Sequence, residues 1–430
     1  MQKRQIRRWI GVAAVGTVVA AGIFVSTQES LQAKRPANED ALYKELELFS
    51  DALSIVQTDY VEQPEAKQLI YGALKGMLAT LDPYSQFLDP DSYNELKIDT
   101  EGQFGGLGIE ITLKDDILTI ITPIDDTPAQ KAGLKPTDRI VKIDGQMTRG
   151  ITLLDAVKKL RGKPGTKVTL TILREGENEL KDYVLTRDII MIQSIRETKL
   201  FEHDIGYVRI SDFRENTARD LEQALEGLKS KHMQGLVLDL RNNPGGLLDV
   251  SVSTAELFLS RQQMIVSTKG RLRNQNLEFR SRRQGLDKNI PIVVLINEGS
   301  ASASEILAGA IQDHHRGIIV GTKSHGKASV QTVFPMKDGS ALRLTTSKYF
   351  TPSGRSIHGQ GILPDVEVPF QEPAKKPEEN KAKANEVFTN LAPPETPKPA
   401  VDALPDDNQL IRAVDILRGI AVYESAHQAT

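Results

Sequence analysis

The sequence predicts an α/β core of alternating strands and helices, interrupted by a β-rich insert and flanked by helical segments. Three observations predict it. Residues 292–296 are apolar with no polar alternation, as in a strand covered on both faces. A polar turn follows at Asn297-Glu298-Gly299, then a serine–alanine run, then apolar residues at Ile306, Leu307, Ala310 and Ile311, the spacing of a helix with one packed face. Residues 235–240 repeat this arrangement, with Arg241-Asn242-Asn243-Pro244-Gly245-Gly246 as the turn and a helix over 247–259. Upstream, around residues 107–113, the apolar period changes to two, which marks a separate strand-rich unit.

The whole chain has 430 residues, 39% hydrophobic and 26% charged, enough for two or three domains with cores of their own. A net charge of −3 argues against nucleic acid as a partner. With no cysteine there are no disulfides, no cysteine nucleophile and no thiolate metal ligands.

In chain order, Lys3, Arg4, Arg7 and Arg8 precede an uncharged stretch over residues 10–25. A basic head and a short apolar run read as a signal peptide or an N-terminal membrane anchor over 1–33, with membrane contact through this segment. Ser30-Leu31-Gln32-Ala33 offers a cleavage site, but Leu31 is not the small residue preferred there, so the anchor is favoured while cleavage stays open. Positive-inside orientation then puts everything after residue 33 outside the cytoplasm. Residues 34–101 form a helical region. Leu42, Leu46, Phe49, Leu53 and Val56 make one stripe, suited to a core or to a dimer surface, and Leu69, Ala73, Gly76, Met77 and Leu81 make another. Leu81-Asp82-Pro83-Tyr84-Ser85 closes the second.

The insert spans 102–187. Gly105, Gly106, Leu107, Gly108 and Ile109 open a strand in which Leu107, Ile109, Ile111 and Leu113 alternate with polar or small residues. Ala132-Gly133-Leu134, Asp138-Arg139-Ile140, a turn at Asp144-Gly145 and a helix over 152–160 with Thr152 and Asp155 as its cap follow. This order resembles a PDZ domain. The resemblance implies that the glycine-rich loop offers amides to a peptide's terminal carboxylate and that the peptide adds a strand beside 107–113, with Leu107 and Ile109 lining an apolar groove.

From 188 to 370 the chain returns to the core, with a strand at 205–210, a helix at 216–229, the two strand–turn–helix units and a strand pair around 340–350. Residues 371–404, rich in Pro, Lys, Glu and Ala, read as a linker. The last segment, 405–430, places Leu410, Ala413, Val414, Leu417, Ile420 and Ala421 at helical spacing, and so needs a surface on its own body or on another subunit.

The chemistry concentrates in 291–331. Serines at a helix N-terminus ordinarily cap it, yet a hydroxyl there also lies beside unpaired N–H groups and the positive dipole end, where an oxyanion is stabilised. Gly321 to Lys327 fits the G-x-x-x-x-G-K pattern of a phosphate-binding loop, but Ala328 replaces the hydroxyl that holds Mg²⁺, which argues against an NTPase. Lys327 is instead suited to act as a base if burial keeps it neutral.

Together these residues resemble the carboxyl-terminal processing peptidases, or tail-specific proteases, a serine–lysine family, over about residues 50–425. The resemblance implies that Ser302, the central serine of Ser300-Ala301-Ser302-Ala303-Ser304-Glu305, is the nucleophile and that Lys327, 25 residues on, is the base. It implies Gln331 as the polar helper and Asp313 as a supporting carboxylate. Gly246, with Gly245 close behind, would pair with the Ala303 amide as the oxyanion hole. One departure is His325, where many relatives carry an aromatic residue.

The implied fold is a core of crotonase- or Clp-protease-like strand–helix units carrying an inserted PDZ domain. The implied activity is endoproteolysis of protein substrates recognised by their C-termini, with no cofactor and no metal. An adaptor protein and a homo-oligomer are the implied partners, and the periplasmic or extracytoplasmic face of the inner membrane of a bacterial cell is the implied place. Two rivals stand beside this: a catalytically silent PDZ scaffold, and a Ser–His hydrolase using His314, His315 or His325.

Overall fold

The computed structural model describes residues 39–372 except residue 178, together with residue 402 and residues 404–428. The predicted anchor at 1–33 and nearly all of the predicted linker at 371–404 lie outside these. Among the described residues no helix is long and apolar enough to cross a membrane. The chain forms two bodies, one ending at Leu81 and one beginning at Asp82.

The first body contains helices Glu39–Asp59 and Ala66–Ala79, which carry the two apolar stripes. Leu42, Leu46, Phe49 and Val56 are exposed at 60%, 51%, 44% and 39%, so this stripe forms no core.

In the second body a six-stranded sheet runs in the order Ile195–Phe201, Ile205–Ile210, Gly235–Asp239, Ile292–Ile296, Ile318–Gly321 and Val366–Glu367. The first pairing is antiparallel and the other four are parallel. The absence of alternation in 235–239 and 292–296 has its reason here: every residue of both strands is buried, because helices cover both faces. One face packs on helices Thr217–Ser230, Leu248–Ala255 and Ala303–Asp313 through Leu221, Leu225, Val252, Ile306 and Leu307. The other packs on the C-terminal helix Asn408–Gln428, where Leu410, Ala413, Val414 and Leu417 meet Tyr207, Val237, Val293 and Leu295. The predicted C-terminal helix therefore finds its surface on its own body. Arg241 fastens it, bonding Asp239 at 2.7 Å, Asp407 at 2.8 Å and Gln409 at 2.9 Å, while Tyr207 donates to Asp239 at 2.9 Å.

A second, antiparallel sheet is built on the long strand Ala341–Phe350, which pairs with Gln86–Leu88, Ser329–Pro335 and Met264–Gly270. It brings residues near 85, near 330 and near 345 side by side, a contact that no sequence spacing announces.

The insert is a sheet of Ile109–Lys114, Ile117–Pro123, Arg139–Ile143, Lys167–Leu173 and Lys181–Thr186, with the short strand Gln146–Met147 at Arg139–Ile143 and helices Pro128–Lys131 and Leu153–Leu160. Leu118, Ile120, Ile140, Leu170 and Ile172 fill its core. Thr152 caps the second helix as predicted, accepting from the Asp155 amide at 3.1 Å and donating to its carboxylate at 2.6 Å. Three of the glycine-loop assignments are placed differently. Gly105 and Gly106 lie in strand Gln103–Gly106, which pairs antiparallel with Asp188–Met191 to make the stalk joining insert and core. The Gly105 carbonyl accepts from the Gly162 amide at 3.0 Å. Leu107 is 2% exposed and belongs to the insert's core, so it lines no groove.

Candidate active site

Ser302 and Lys327 stand on the ends of neighbouring parallel strands. Ser302 follows strand Ile292–Ile296 and is the N-cap of helix Ala303–Asp313. Its backbone, at φ 55° and ψ −112°, occupies a region that side chains other than glycine rarely visit. Such a conformation costs about 1–3 kcal/mol and persists only where the surroundings enforce it. The enforcing group is the Glu305 carboxylate, 1% exposed. It accepts from the Ser302 amide at 2.8 Å, the Lys327 amide at 2.9 Å, the Gly326 amide at 2.7 Å and the Ser324 hydroxyl at 2.6 Å. One buried carboxylate thereby ties the serine segment to the lysine segment. The Tyr349 hydroxyl adds a second tie, lying between the Ser302 carbonyl at 3.0 Å and the Lys327 carbonyl.

The glycine turn 241–246 is stitched to the same serine. Asn242 and Asn297 exchange hydrogen bonds at 2.8 and 2.9 Å, the Ser300 hydroxyl donates to the Leu240 carbonyl at 2.8 Å, and the Asn243 carbonyl accepts from the Ala301 amide at 3.0 Å and the Ser304 hydroxyl at 2.9 Å. Gly245 has φ +100°, and a methyl group on it would lie 2.8 Å from both Ser302 Cβ and the Ala303 amide nitrogen. Gly246 has φ +153°, and a methyl group there would meet the Phe213 carbonyl oxygen at 2.1 Å. Both positions therefore demand glycine. The Gly245 amide is occupied, donating to Asn243 Oδ1 at 2.9 Å. The amides of Gly246 and Ala303 donate to no group among the described residues.

Lys327 is half-buried. Burial pushes its amine below the ordinary lysine value, the Arg343 charge pushes the same way, and Glu305 opposes them. Its Nζ lies 4.7 Å from the centroid of the Tyr84 ring. Among the described residues neither Lys327 Nζ nor Ser302 Oγ makes a hydrogen bond. Gln331 Nε2 donates to Ser329 Oγ at 2.9 Å and approaches Thr345 Oγ1 at 3.4 Å; it is beside the site without touching the lysine amine.

Asp313 lies at the far end of the helix, eleven residues from Ser302 and so about 16 Å along the axis. It holds the turn after Phe350, accepting from the Ser353 amide at 2.8 Å and pairing with Arg355. Burial would raise its carboxyl, but hydrogen bonds from Thr351, Ser353 and Arg355 hold it below the ordinary carboxylate range. His314 and His315 are at that same end, His314 bonding the Met264 carbonyl at 2.6 Å. His325 is exposed, with its amide on the Ser300 carbonyl at 3.0 Å.

Among the described residues no group of three or more His, Asp or Glu is arranged to hold a metal. Sequence reasoning missed Glu305, Tyr349, Tyr84 and Arg343. Only Glu305 left a signal, since Ser302 and Glu305 stand at the spacing of a capping box.

A carboxy-terminal-processing protease of Bartonella bacilliformis is 43% identical over 424 residues, covering 93% of this chain and 94% of that protein. The chain belongs to the carboxy-terminal processing protease family. The model of peptidase family S41 matches residues 204–368, that of the PDZ domain 105–182, and that of the activating protease CtpB N-terminal domain 10–92. The processing protease CtpB of Bacillus subtilis is 37% identical over 328 residues, 76% of this chain and 68% of that protein. Among solved structures, a photosystem II D1 C-terminal processing protease shares 32% identity, covering 75% of this chain and 92% of that one with a TM-score of 0.44. This processing protease thus has its PDZ domain in the insert and its peptidase domain in the body that carries Ser302 and Lys327.

Proposed function

We propose that this processing protease cuts peptide bonds with Ser302 as nucleophile and Lys327 as base. The observation that carries this is the Glu305 carboxylate, which binds the amides of both residues in a buried site. In the reaction Ser302 Oγ attacks the scissile carbonyl and neutral Lys327 takes its proton. The oxyanion settles on the free amides of Gly246 and Ala303. Lys327 then protonates the leaving amine, and water releases the acyl group from Ser302. Gln331 orients the lysine in the reacting state. Asp313 keeps a supporting role, consistent with its distance. Neither the silent scaffold nor a Ser–His pair has an observation in its favour.

The core's strand–helix units are read as crotonase- or Clp-protease-like. The apolar stripe of Glu39–Asp59 suits a homo-oligomer contact, and an adaptor remains a candidate partner. The segment at 1–33 suits an anchor that holds the enzyme at the periplasmic or extracytoplasmic face of the inner membrane.

Recognition of a C-terminus falls to the PDZ domain. Gly108, at φ +73°, and Leu107 present amides that donate to no group among the described residues, beside the strand opened by Ile109. A carboxylate bonded there contributes on the order of tenfold or more in affinity. Cleavage of a peptide with a free apolar C-terminus should therefore exceed that of its C-terminal amide by about tenfold in kcat/KM. Equal rates for the two would remove the PDZ domain from substrate selection.

A further inference from the structure

The turn Asp82-Pro83-Tyr84-Ser85 has no part in the mechanism as described, yet strand Ala341–Phe350 of the same body fixes it beside the site. Asp82 Oδ1 accepts from the Tyr84 amide at 2.8 Å, the Ser85 amide at 3.0 Å and Thr345 Oγ1 at 3.1 Å, and Asp82 Oδ2 accepts from Ser85 Oγ at 2.7 Å. Ser85 Oγ in turn accepts from the Thr345 amide at 3.1 Å. The turn is thus riveted to strand Ala341–Phe350, and the same Thr345 hydroxyl lies 3.4 Å from Gln331 Nε2. What this rigid turn presents is the Tyr84 ring, with the Lys327 amine 4.7 Å from its centroid. The Tyr84 hydroxyl makes no hydrogen bond among the described residues, so the ring face is the part in use.

We propose that Tyr84 is a positioning residue of the base: its ring holds the protonated Lys327 amine away from Ser302, and turnover requires the neutral amine to leave the ring and reach Ser302 Oγ. The proposal rests on the Ser302–Lys327 mechanism above. An aromatic face attracts a cation and has little hold on a neutral amine. The ring therefore couples the lysine's position to its protonation. The other charged groups facing Lys327 are Arg343 from strand Ala341–Phe350 and Glu305 from the serine helix; Tyr349 reaches its carbonyl, and Asp82 lies in the turn that carries the ring. Arg343 disfavours the ammonium, and Glu305 and Tyr84 favour it. Removing the ring's attraction lowers the pH at which the amine becomes neutral.

The test is the pH profile of kcat/KM for the full chain and for Tyr84→Leu, Tyr84→Phe and Tyr84→Trp. Leucine keeps apolar bulk over the lysine and removes the π face. In Tyr84→Leu the ascending limb should move to lower pH by about half a unit to one unit, a gain of about three- to tenfold below the limb. Tyr84→Phe should keep the limb in place, and Tyr84→Trp, with the stronger face, should move it up. If Tyr84→Leu does not fold, the Phe-to-Trp difference carries the test. Coincident limbs in all folded variants, or a uniform loss of rate with no shift, overturn the proposal. Lys327→Ala, run alongside, separates this from failure of the mechanism itself: substantial activity without the lysine rejects the serine–lysine reading, and coincident limbs with an inert Lys327→Ala reject only the role of Tyr84.

Discussion

Lys327→Ala is expected to lower kcat/KM by about 10²–10⁴-fold, the range a positioned general base supplies. The reasoning is local. The serine hydroxyl is a poor nucleophile while it keeps its proton, and the half-buried amine of Lys327 belongs to a segment that Glu305 binds to the serine's own segment. Folding should survive, because Glu305 grips the lysine by its backbone amide and Tyr349 by its carbonyl, groups that alanine keeps. Peptide binding to the PDZ domain should survive as well. His325→Ala, by contrast, should retain most of the activity, since its side chain is exposed and the other two nearby histidines lie at the opposite end of the helix. Turnover assays on the two variants check this. An active Lys327→Ala enzyme beside an inert His325→Ala enzyme would reverse the assignment.

Glu305→Ala should have the largest structural effect of any single change at the site. Four donors lose their acceptor at once in a place water does not reach: the amides of Ser302, Gly326 and Lys327 and the hydroxyl of Ser324. Each orphaned donor costs about 1–3 kcal/mol before relaxation, so a net loss of about 3–5 kcal/mol is expected. Ser302 would also lose the bond that enforces its φ of 55°, and cleavage should fall with it. Glu305→Gln is the sharper variant. It keeps the shape, but each carboxylate oxygen accepts from two donors, so the new amide group must face N–H or O–H groups wherever it points. Thermal unfolding and turnover measured together decide the matter. A Glu305→Gln enzyme that melts and turns over like the parent would show that the carboxylate is not what joins the two segments.

The core was legible where burial is two-sided. Residues 292–296 and 236–238 are apolar throughout because helices cover both faces, and the helix at 303–313 announced itself by Ile306, Leu307, Ala310 and Ile311. The glycine loop was half legible. Gly245 and Gly246 were placed at the serine, but the run Gly105-Gly106-Leu107-Gly108 looks the same in sequence whether its first glycines make a loop or a paired stalk, and only pairing with Asp188–Met191 distinguishes them. Leu107 shows the same limit: an apolar residue at the start of a strand points either to a groove or to a core, and here Ala129 and its neighbours enclose it. What sequence spacing could not give is the convergence of Tyr84, Arg343 and Tyr349 on Lys327. They reach it through the antiparallel sheet, whose pairings join positions more than 200 residues apart, as Gln86 with Arg343.

The measurement closest to the central claim is a single turnover, quenched in acid and mapped by mass spectrometry. Full-length enzyme in excess over a substrate with a free apolar C-terminus should carry the substrate's N-terminal fragment as an ester on the peptide containing Ser302. That adduct should form at least about a hundredfold more slowly in Lys327→Ala. An adduct on another residue, or one that forms on Ser302 equally fast without Lys327, would contradict the account.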